Sequence, residues 1–493
     1  MTDTQSSAAT SPPREISEKS IAVLPFTDMS EKKDQEYLAD GMAEEVLNLL
    51  AKAPDLLVTG CTSSFSFKGK ATTIPEIARV LGVAHVLEGS IRRSGERLRV
   101  TAQLLRADTG YHLWSETYNR ELHDVFAVQD DIANAVSQVL QIKLAGGELH
   151  RRKGGTQNLE AYQLYLRAKQ DANVASRESL DRAQTLLERA LTLDPSFGLA
   201  LSVLADVFAL KAEFGIDVDE NYARTREVAQ RMLEVSPDAP FVVAVIYKNV
   251  DHNWMAWDLE NKRVLAIDPT DPPTLQSAAL LSMTLGHWDE AERQLRLALT
   301  RDPLNNYVHW NLGANYYGAG RLREAEDALR KLLEMSPEFP WTRIYLAKTL
   351  MAAERSEEAL VVLQQDPDET TRLSFLPQVL DKLGRRTEAD EALTAQIAQW
   401  GDSNSYCVAG TYALRGDHAS ALQWLERAYE QHDSGLNEIL SETRLSHRAV
   451  SRLFAEDEPR GCGRASRAAI NGVSPRARAT TTCQAQIQRD GTR

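Results

Sequence analysis

One sequence pattern recurs several times along this chain at nearly constant spacing. GHWDEAERQLRLALTRDP runs from Gly286 to Pro303, and GRLREAEDALRKLLEMSP runs from Gly320 to Pro337, with a shared pattern more than shared letters. A small residue recurs in the second helix of each unit, 34 residues apart and then after 30 and 32 residues: Ala291, Ala325, Ala359, Ala389 and Ala421. A period near 34 with helical spacing inside each unit is typical of stacked helical hairpins.

Each recurrent position has a mechanical role. A residue five positions before each alanine ends the first helix, where left-handed backbone favours glycine. The alanine lies where the two helices touch, and proline ends the second helix. One hairpin cannot bury its own apolar side, whereas a stack can, and the stack leaves a long concave groove. The five helix-ending residues are Gly286, Gly320, Glu354, Gly384 and Gly416.

Composition limits the function classes. At 493 residues the chain is too long for a single core, so we expect two or three domains. Residues 146–459 carry 34 basic and 49 acidic side chains, a balance of −15 that disfavours nucleic acid as the main ligand. The cysteines form no CxxC pair, so the sequence predicts neither a disulfide framework nor a zinc site. They are Cys61, Cys407, Cys462 and Cys483.

The sequence also bears on location. No run of eighteen apolar residues is present, so no membrane span is predicted. Residues 1–19 are polar and rich in Ser, Thr and Pro, and they lack the apolar core of a signal peptide. We therefore expect a cytoplasmic protein, with a periplasmic one as the alternative if the gene start is truncated.

At the recurrent positions the chain resembles the tetratricopeptide repeat family. The pattern is strong over 272–339 and 402–431 and fair over 340–401. It is poor over 198–271, where Trp257 takes a small-residue position. The resemblance implies seven to eight units in an all-α superhelical solenoid that binds a protein or peptide.

Residues 20–145 alternate between strand and helix patterns instead. SIAVLPF and LLVTGCTSSF are strand-like, and LADGMAEEVLNLLAK has one apolar helical face. Thr73 and Glu76 form a capping box before a short helix that stops at Gly82. Three strands follow, separated by turns at Ser94-Gly95 and at 108–110, and DVFAVQDDIANAVSQVLQIKL is a closing helix. The order β-α-β-α-β-β-β-α predicts a small α/β module with a mixed sheet.

The motifs SIAVLPF, EYLADGMAEEVLNLL, HVLEGSIRRSGERLRVTAQL and DTGYHLWSETYNR closely resemble the bacterial TolB-N-terminal-like or FlgO-like domain. In that family the module follows a class III adenylyl cyclase domain or a winged-helix DNA-binding domain and precedes tetratricopeptide repeats. Only nineteen residues precede the module here, too few for either output domain. The resemblance implies an output domain that is missing, lost from the gene or supplied by another chain.

A search for catalytic motifs and metal-ligand spacings predicts no catalytic residue, no metal and no cofactor. The loop FKGKATT around Lys70 lacks the Gly and the Ser or Thr of a phosphate loop. Asp130 and Asp131 stand early in a predicted helix, where its dipole stabilises them. The histidines of the module lie on separate predicted elements: His85, His112 and His123.

Four arginines flank one predicted turn, with few aromatic residues among them. We interpret them as a charged sheet edge that discourages strand pairing. Contact with nucleic acid or lipid is the alternative. The four are Arg92, Arg93, Arg97 and Arg99.

The predicted protein-binding residues lie on the first helices of two well-formed repeats, at positions that the resemblance to tetratricopeptide repeats implies face the groove. Aromatic side chains there would supply contact area at low entropy cost. The alternative is that they pack between neighbouring helices. Relatives that bind the C-terminal carboxylate of chaperones do so with Lys and Asn side chains. Trp310 and Ala314 stand at the corresponding positions here, which disfavours chaperones as partners. The candidates are Tyr307, Trp310, Asn311 and Tyr317 on one helix, and Trp341, Ile344, Tyr345 and Lys348 on the next.

These observations favour a non-enzymatic interaction and regulatory scaffold of a bacterial signalling system. The alternative is the accessory, non-catalytic part of a class III adenylyl cyclase or winged-helix regulator whose output domain is missing or on another chain. We attribute the basic tail, with seven Arg and one Asp, to an altered reading frame, with a genuine basic tail as the alternative. The predicted segments are 1–19 (disordered), 20–145 (α/β module), 146–157 (linker), 158–435 (repeats, with 198–271 degenerate), 436–459 (capping helix) and 460–493 (disordered basic tail).

Overall fold

The computed structural model describes residues 16–53, 55–142, 155–174, 176–235, 247–248, 253–400, 404–433 and 435–436. Most of the predicted N-terminal segment and linker, nearly all of the predicted capping helix and the whole basic tail lie outside these residues. The chain divides into two compact units. The first contains the residues up to Leu166 together with Thr300–Asn305, and the second contains the rest.

The first unit is an α/β module whose elements follow the predicted order, with β2 and α2 as short additions. The sheet has the strand order β3-β1-β4-β5-β6, with β2 paired to β4. β1 is parallel to β3 and β4, whereas β4, β5 and β6 are antiparallel, so the sheet is mixed. The elements are β1 (Ser20–Val23), β2 (Thr27–Asp28), α1 (Glu36–Ala51), β3 (Leu57–Val58), α2 (Cys61–Phe65), α3 (Ile74–Leu81), β4 (His85–Ser94), β5 (Arg97–Arg106), β6 (His112–Glu121) and α4 (Val125–Val139).

The core of the module lies where the sequence pattern predicts it. Leu38, Met42 and Val46 share the apolar face of α1 and are fully buried. The alternating residues of β5 from Leu98 to Leu104 are also buried, because they point to one face of the sheet. The predicted capping box is present at the start of α3, which ends at Gly82 with a φ of +69°.

Two sequence interpretations of the module are wrong. LLVTGCTSSF forms a strand only at Leu57–Val58, because the next backbone donors are used elsewhere in the same unit. The Gly60 N–H donates to the Arg301 carbonyl (2.7 Å), and the Ser63 N–H donates to the Asp302 carboxylate (2.8 Å). The arginine cluster is not at a sheet edge, because it lies on β4 and β5, which are both paired on two sides.

The second unit is all-helical in its described residues. Helix pairs succeed one another along the chain, and the division between the units falls within α5. The helices are α5 (Leu159–Val174), α6 (Arg177–Leu193), α7 (Gly198–Glu213), α8 (Val218–Val235), α9 (Trp254–Leu265), α10 (Pro272–Thr284), α11 (Trp288–Arg301), α12 (Asn306–Gly318), α13 (Leu322–Met335), α14 (Thr342–Ala352), α15 (Ser356–Gln364), α16 (Glu369–Lys382), α17 (Arg386–Trp400), α18 (Ser405–Leu414) and α19 (His418–Glu430).

The recurrent residues have the roles that their spacing predicts. The alanines at 291, 325, 359 and 389 are fully buried at helix contacts. All four helix-ending glycines have φ near +74°, in the left-handed region. Glu354, which replaces glycine in one unit, has a φ of +59°. The backbone therefore keeps the left-handed conformation in this unit, although that conformation is unfavourable for a residue with a side chain.

Trp257 takes a small-residue position in the stretch 198–271, where the repeat pattern is poor. This residue of α9 is 1% exposed, and its indole N–H donates to the Ser277 hydroxyl of α10 at 2.8 Å. Its ring fills the space that small residues leave elsewhere in the array. A buried tryptophan with a satisfied N–H is stable at a helix contact.

A repeated ion pair links successive second helices. Glu292 of α11 accepts from Arg321, the residue before α13, at 2.6 Å. Glu326 of α13 accepts from Arg355, the residue before α15, also at 2.6 Å. Each pair therefore fixes one unit against the next with the same 34-residue period as the apolar positions.

Replacing Glu354 by Gly is expected to raise the free energy of unfolding by about 0.5–1 kcal/mol. A side chain in left-handed backbone costs about 1 kcal/mol that glycine avoids. The exposed ion pair to Lys382 (3.3 Å) that is lost contributes little. Gly320→Ala is the matched opposite change, since its Cβ would meet nothing within 4 Å. We expect it to lower stability by about 1 kcal/mol in urea unfolding, and effects of the same sign in both variants would contradict the backbone explanation.

Glu292→Gln is expected to destabilise the chain in a pH-dependent way. Burial raises the pKa of Glu292, but hydrogen bonds from Arg296, Arg321 and Tyr316 outweigh it and lower the pKa to about 2. A carboxyl whose pKa falls on folding stabilises the fold above its unfolded pKa, and this contribution is lost as the pH falls toward 2. The free energy of unfolding should therefore fall by about 1–3 kcal/mol at pH 7.

The difference between Glu292→Gln and the unsubstituted chain should narrow between pH 4.5 and pH 3. Urea unfolding at several pH values measures it. Glu334→Gln, an exposed carboxylate on α13, is the control and should change stability little at any pH. A difference for Glu292→Gln that is constant from pH 7 to pH 3 would contradict the assignment.

Candidate functional site

Aromatic rings on α12, on α14 and in the segment before α14 form two contacting groups in the second unit. The Trp310 ring lies 5.9 Å from the Trp341 ring and 5.1 Å from the Tyr345 ring between centroids. Tyr317 contacts Tyr345 edge-on at 6.1 Å. Tyr307 contacts Phe339 edge-on at 4.9 Å. We call Tyr307, Trp310, Tyr317, Trp341 and Tyr345 the aromatic surface.

The structure separates the eight predicted binding residues by exposure. Tyr307 and Trp341 are 48% and 37% exposed, and Trp310 and Tyr317 are half-buried. The other four are at most 9% exposed and pack among helices: Asn311, Ile344, Tyr345 and Lys348. Only the first four can offer ring area to a partner directly. The assignment of all eight to binding stays a prediction.

Trp341 has an unusual backbone for so large a residue. It stands immediately before α14 with a φ of +59° and a ψ of −8°. A bulky side chain in this region is an outlier that costs about 1 kcal/mol, and glycine would avoid the cost. Backbone geometry therefore does not explain why a tryptophan stands here. A role of its exposed ring, which lies beside Trp310, would explain it.

Two polar groups at the aromatic surface lack a hydrogen-bond partner within the described part of the chain. They are the indole N–H of Trp310 and the side-chain oxygen of Asn311, and both atoms are buried. Buried polar groups are normally satisfied, so each unsatisfied one needs an explanation. Because the protein covers both atoms, a partner does not reach either of them in this conformation.

Lys348 extends the aromatic surface with a charge. Its ammonium lies 4.7 Å from the centroid of the Tyr345 ring and 5.9 Å from that of Phe375 on α16. These distances allow cation–π attraction. Sequence analysis missed Phe339 and Phe375, because neither lies on the helical face of the predicted residues. Contacts across successive units bring them in.

The groups considered for chemistry in the module lie apart or are paired. His85 is buried, its Nδ1 lies 3.2 Å from the Ser20 carbonyl, and burial lowers its pKa. Asp131 lies near Arg120 (3.8 Å), and His123 lies beside Asp124 (3.2 Å). Among the described residues, no three His, Cys, Asp or Glu side chains are grouped so that they could hold a metal ion.

Asp206 on α7 has a strongly raised pKa, which favours the neutral form of its carboxyl group. Burial, with a smaller contribution from Glu213, raises its pKa to about 7, while Lys169 lowers it. No nucleophile or base lies in hydrogen-bond contact with it in the described structure. A single perturbed carboxyl without such a neighbour does not form a catalytic arrangement.

No helix within the described ranges is both long and apolar enough to cross a membrane.

One curated protein with sequence similarity is named "Putative adenylate cyclase 3", from Rhizobium meliloti. It is 38% identical over 237 residues, a stretch that covers 47% of this chain and 40% of that protein. The chain therefore spans less than half the length of this relative.

Several solved structures are similar at low identity. A thermophilic repeat protein of Thermus thermophilus is 22% identical, covers 39% of this chain and is itself covered to 99%, with a TM-score of 0.33. A human IFIT1 dimer with m7Gppp-AAAA is 14% identical and covers 63% of this chain and 77% of its own, with a TM-score of 0.42. The Pseudomonas aeruginosa protein pilF is 18% identical and covers 50% of this chain and 94% of its own, with a TM-score of 0.28.

Sequence models of the tetratricopeptide repeat family match residues 277–340 and 316–372. They cover the units that contain the aromatic surface and confirm the predicted repeats there. The resemblance of residues 20–145 to the TolB-N-terminal-like domain stays a prediction. The repeats of this chain are tetratricopeptide repeats over residues 277–372, and repeats of this class mediate protein interactions.

Proposed function

We propose that this chain is a non-catalytic regulatory scaffold of a bacterial signalling system, and that its repeats bind a segment of a partner protein at the aromatic surface. The observation that carries the proposal is the exposure of Trp341 beside Trp310, together with that of Tyr307 on the same helix as Trp310. Binding energy in protein interfaces concentrates in such aromatic side chains, because they contribute large contact area with few rotatable bonds.

The strain at Trp341 supports the same assignment. Residues that a fold does not need, and that cost stability, concentrate where function selects them.

Two substitutions test the aromatic surface without disturbing the core. Trp341→Gly removes the ring and suits the left-handed backbone, and Tyr307→Ala removes a half-exposed ring. Each should weaken binding of a selected peptide by about 1–3 kcal/mol while the melting temperature stays the same or rises. The peptide is selected from a phage-displayed random dodecamer library on the unsubstituted full chain, and its Kd is measured by fluorescence.

Two controls separate binding from folding. Val361→Ala removes an exposed apolar side chain on α15, away from the aromatic surface, and should leave Kd unchanged. Tyr345→Ala removes a ring that is 7% exposed and should lower the melting temperature. Peptides that bind Trp341→Gly and Tyr307→Ala as tightly as the unsubstituted chain would contradict the proposed site.

The second candidate function is that of an accessory, non-catalytic part of a class III adenylyl cyclase or a winged-helix regulator. It rests on the name of the Rhizobium meliloti relative and on the motifs that resemble the TolB-N-terminal-like domain. Under this alternative the output domain belongs to another chain or is missing from this one. An accessory part of a cyclase should change the activity of a cyclase domain, whereas a scaffold that only binds peptides should not.

Under both candidates the purified chain alone should form no cyclic AMP from ATP with Mg²⁺ or Mn²⁺. The reason is that no grouped acidic residues suited to hold such ions are found in the described structure. Product analysis by liquid chromatography checks this, with a bacterial cyclase as positive control. Sustained cyclic AMP formation by the pure chain would overturn both candidates. A change in the rate of an added class III cyclase domain would favour the second.

A further inference from the structure

From Glu88 to Arg92 of β4, one face of the β4–β5–β6 sheet is polar and open to solvent, whereas Val86 and Leu105 at the end of that face are buried. Directly paired residues of neighbouring strands point to the same face, so each cross-strand row can be assigned from the register. One row consists of four hydroxyl residues on four strands: Thr27, Ser90, Thr101 and Thr117. Thr101 and Thr117 are hydrogen-bonded through their hydroxyls at 3.1 Å. We call this surface the open face.

The next row of the open face contains two arginines directly opposite each other. Arg92 of β4 pairs with Arg99 of β5, which pairs with Asn119 of β6. Like charges at directly opposed positions destabilise a sheet. Both side chains are exposed, so neither is held in place by burial. The fold itself gains nothing from this arrangement.

Neither guanidinium is neutralised by a carboxylate in the described structure. The Nε of Arg99 donates to the Asn119 side-chain oxygen (2.7 Å), and the Nε of Arg92 donates to the Met29 carbonyl (3.2 Å). These neutral acceptors lie on the two outer sides of the β4–β5 pair and leave both charges uncompensated. Arg120, on the opposite face of the same sheet, has Asp131 within 3.8 Å.

The geometry points to a phosphate-binding site formed by Arg92 and Arg99 with the hydroxyls of Ser90 and Thr101. A phosphate group carries a charge of about −1.5 to −2, which matches two guanidinium groups. Its terminal oxygens accept hydrogen bonds from guanidinium and hydroxyl groups, and arginine is well suited to this recognition.

The borders of the open face define the kind of ligand. Glu121 stands opposite Arg97 at one border, and Glu88 stands opposite Gln103 at the other, so each border carries one carboxylate. No aromatic residue occupies these paired rows, so no ring is present to stack a base. The site should therefore bind the phosphate group itself, whether it belongs to pyrophosphate or to a nucleotide.

The test is calorimetric titration of the full chain at low ionic strength with pyrophosphate, with ATP in the absence of added metal, with acetate and with a thymidine dodecamer. Pyrophosphate and ATP should bind saturably with similar Kd values. Arg92→Gln and Arg99→Gln should each weaken both by about tenfold or more. Arg120→Gln, with the same change of charge on the same sheet, should change Kd less than about twofold.

Stability measured without ligand separates binding from a structural role. Because Arg99→Gln removes a like-charge repulsion, its melting temperature should equal or exceed that of the unsubstituted chain. Absence of saturable binding would overturn the proposal, and so would equal losses in Arg120→Gln. Acetate binding as tight as pyrophosphate, or binding of the dodecamer alone, would also overturn it, because charge or a nucleic-acid surface would then explain the arginines.

Discussion

The closeness of two helices in a hairpin is the constraint on which the repeats depend. Ala291, Ala325 and Ala359 are fully buried, because any larger side chain would hold the helices apart. Gly313 meets the same requirement from the other helix, since a Cβ there would lie 2.7 Å from the Leu329 side chain. Close contact in each unit lets the next unit stack on it, and the stack buries an apolar side that one hairpin would expose.

Stacking also explains how the array tolerates unfavourable residues. Glu354 and Trp341 have backbone angles that suit glycine, and each is held because the helices on both sides determine its position. The two cases differ in what the side chain does. Glu354 makes an exposed ion pair with Lys382, which contributes little to stability. Trp341 places a large ring on the surface beside Trp310, where a partner can use it.

In the α/β module the strands have two different environments. The parallel part around β1 lies between helices, and its residues Ile21, Ala22 and Val23 are fully buried. The β4–β5 hairpin is apolar on both faces near Val86 and Leu105, but from Glu88 to Arg92 of β4 one of its faces is polar. A polar face places few packing restrictions on its side chains. Paired arginines can therefore persist there although they do not help the sheet.

The sequence by itself determined most of the elements that form in the described residues. A period of 34 with alanine and glycine at fixed offsets specifies helix pairs, and the alternation in β5 specifies a strand with one buried face, because both patterns depend on local geometry. The capping box of α3 and the helix end at Gly82 were predictable for the same reason. Residues 277–372 could be recognised as tetratricopeptide repeats from these positions alone.

Only the tertiary structure decided which side chains are exposed and which distant groups meet. Asn311 and Tyr307 share a predicted face, yet one is 1% and the other 48% exposed, because neighbouring units cover α12 unequally. The strand predicted around Ser63 is cut short by a contact with Asp302, 239 residues away. Arg92 and Arg99 oppose each other because of strand register. Exposure and such contacts depend on how separate elements pack, and no local pattern in the chain encodes that packing.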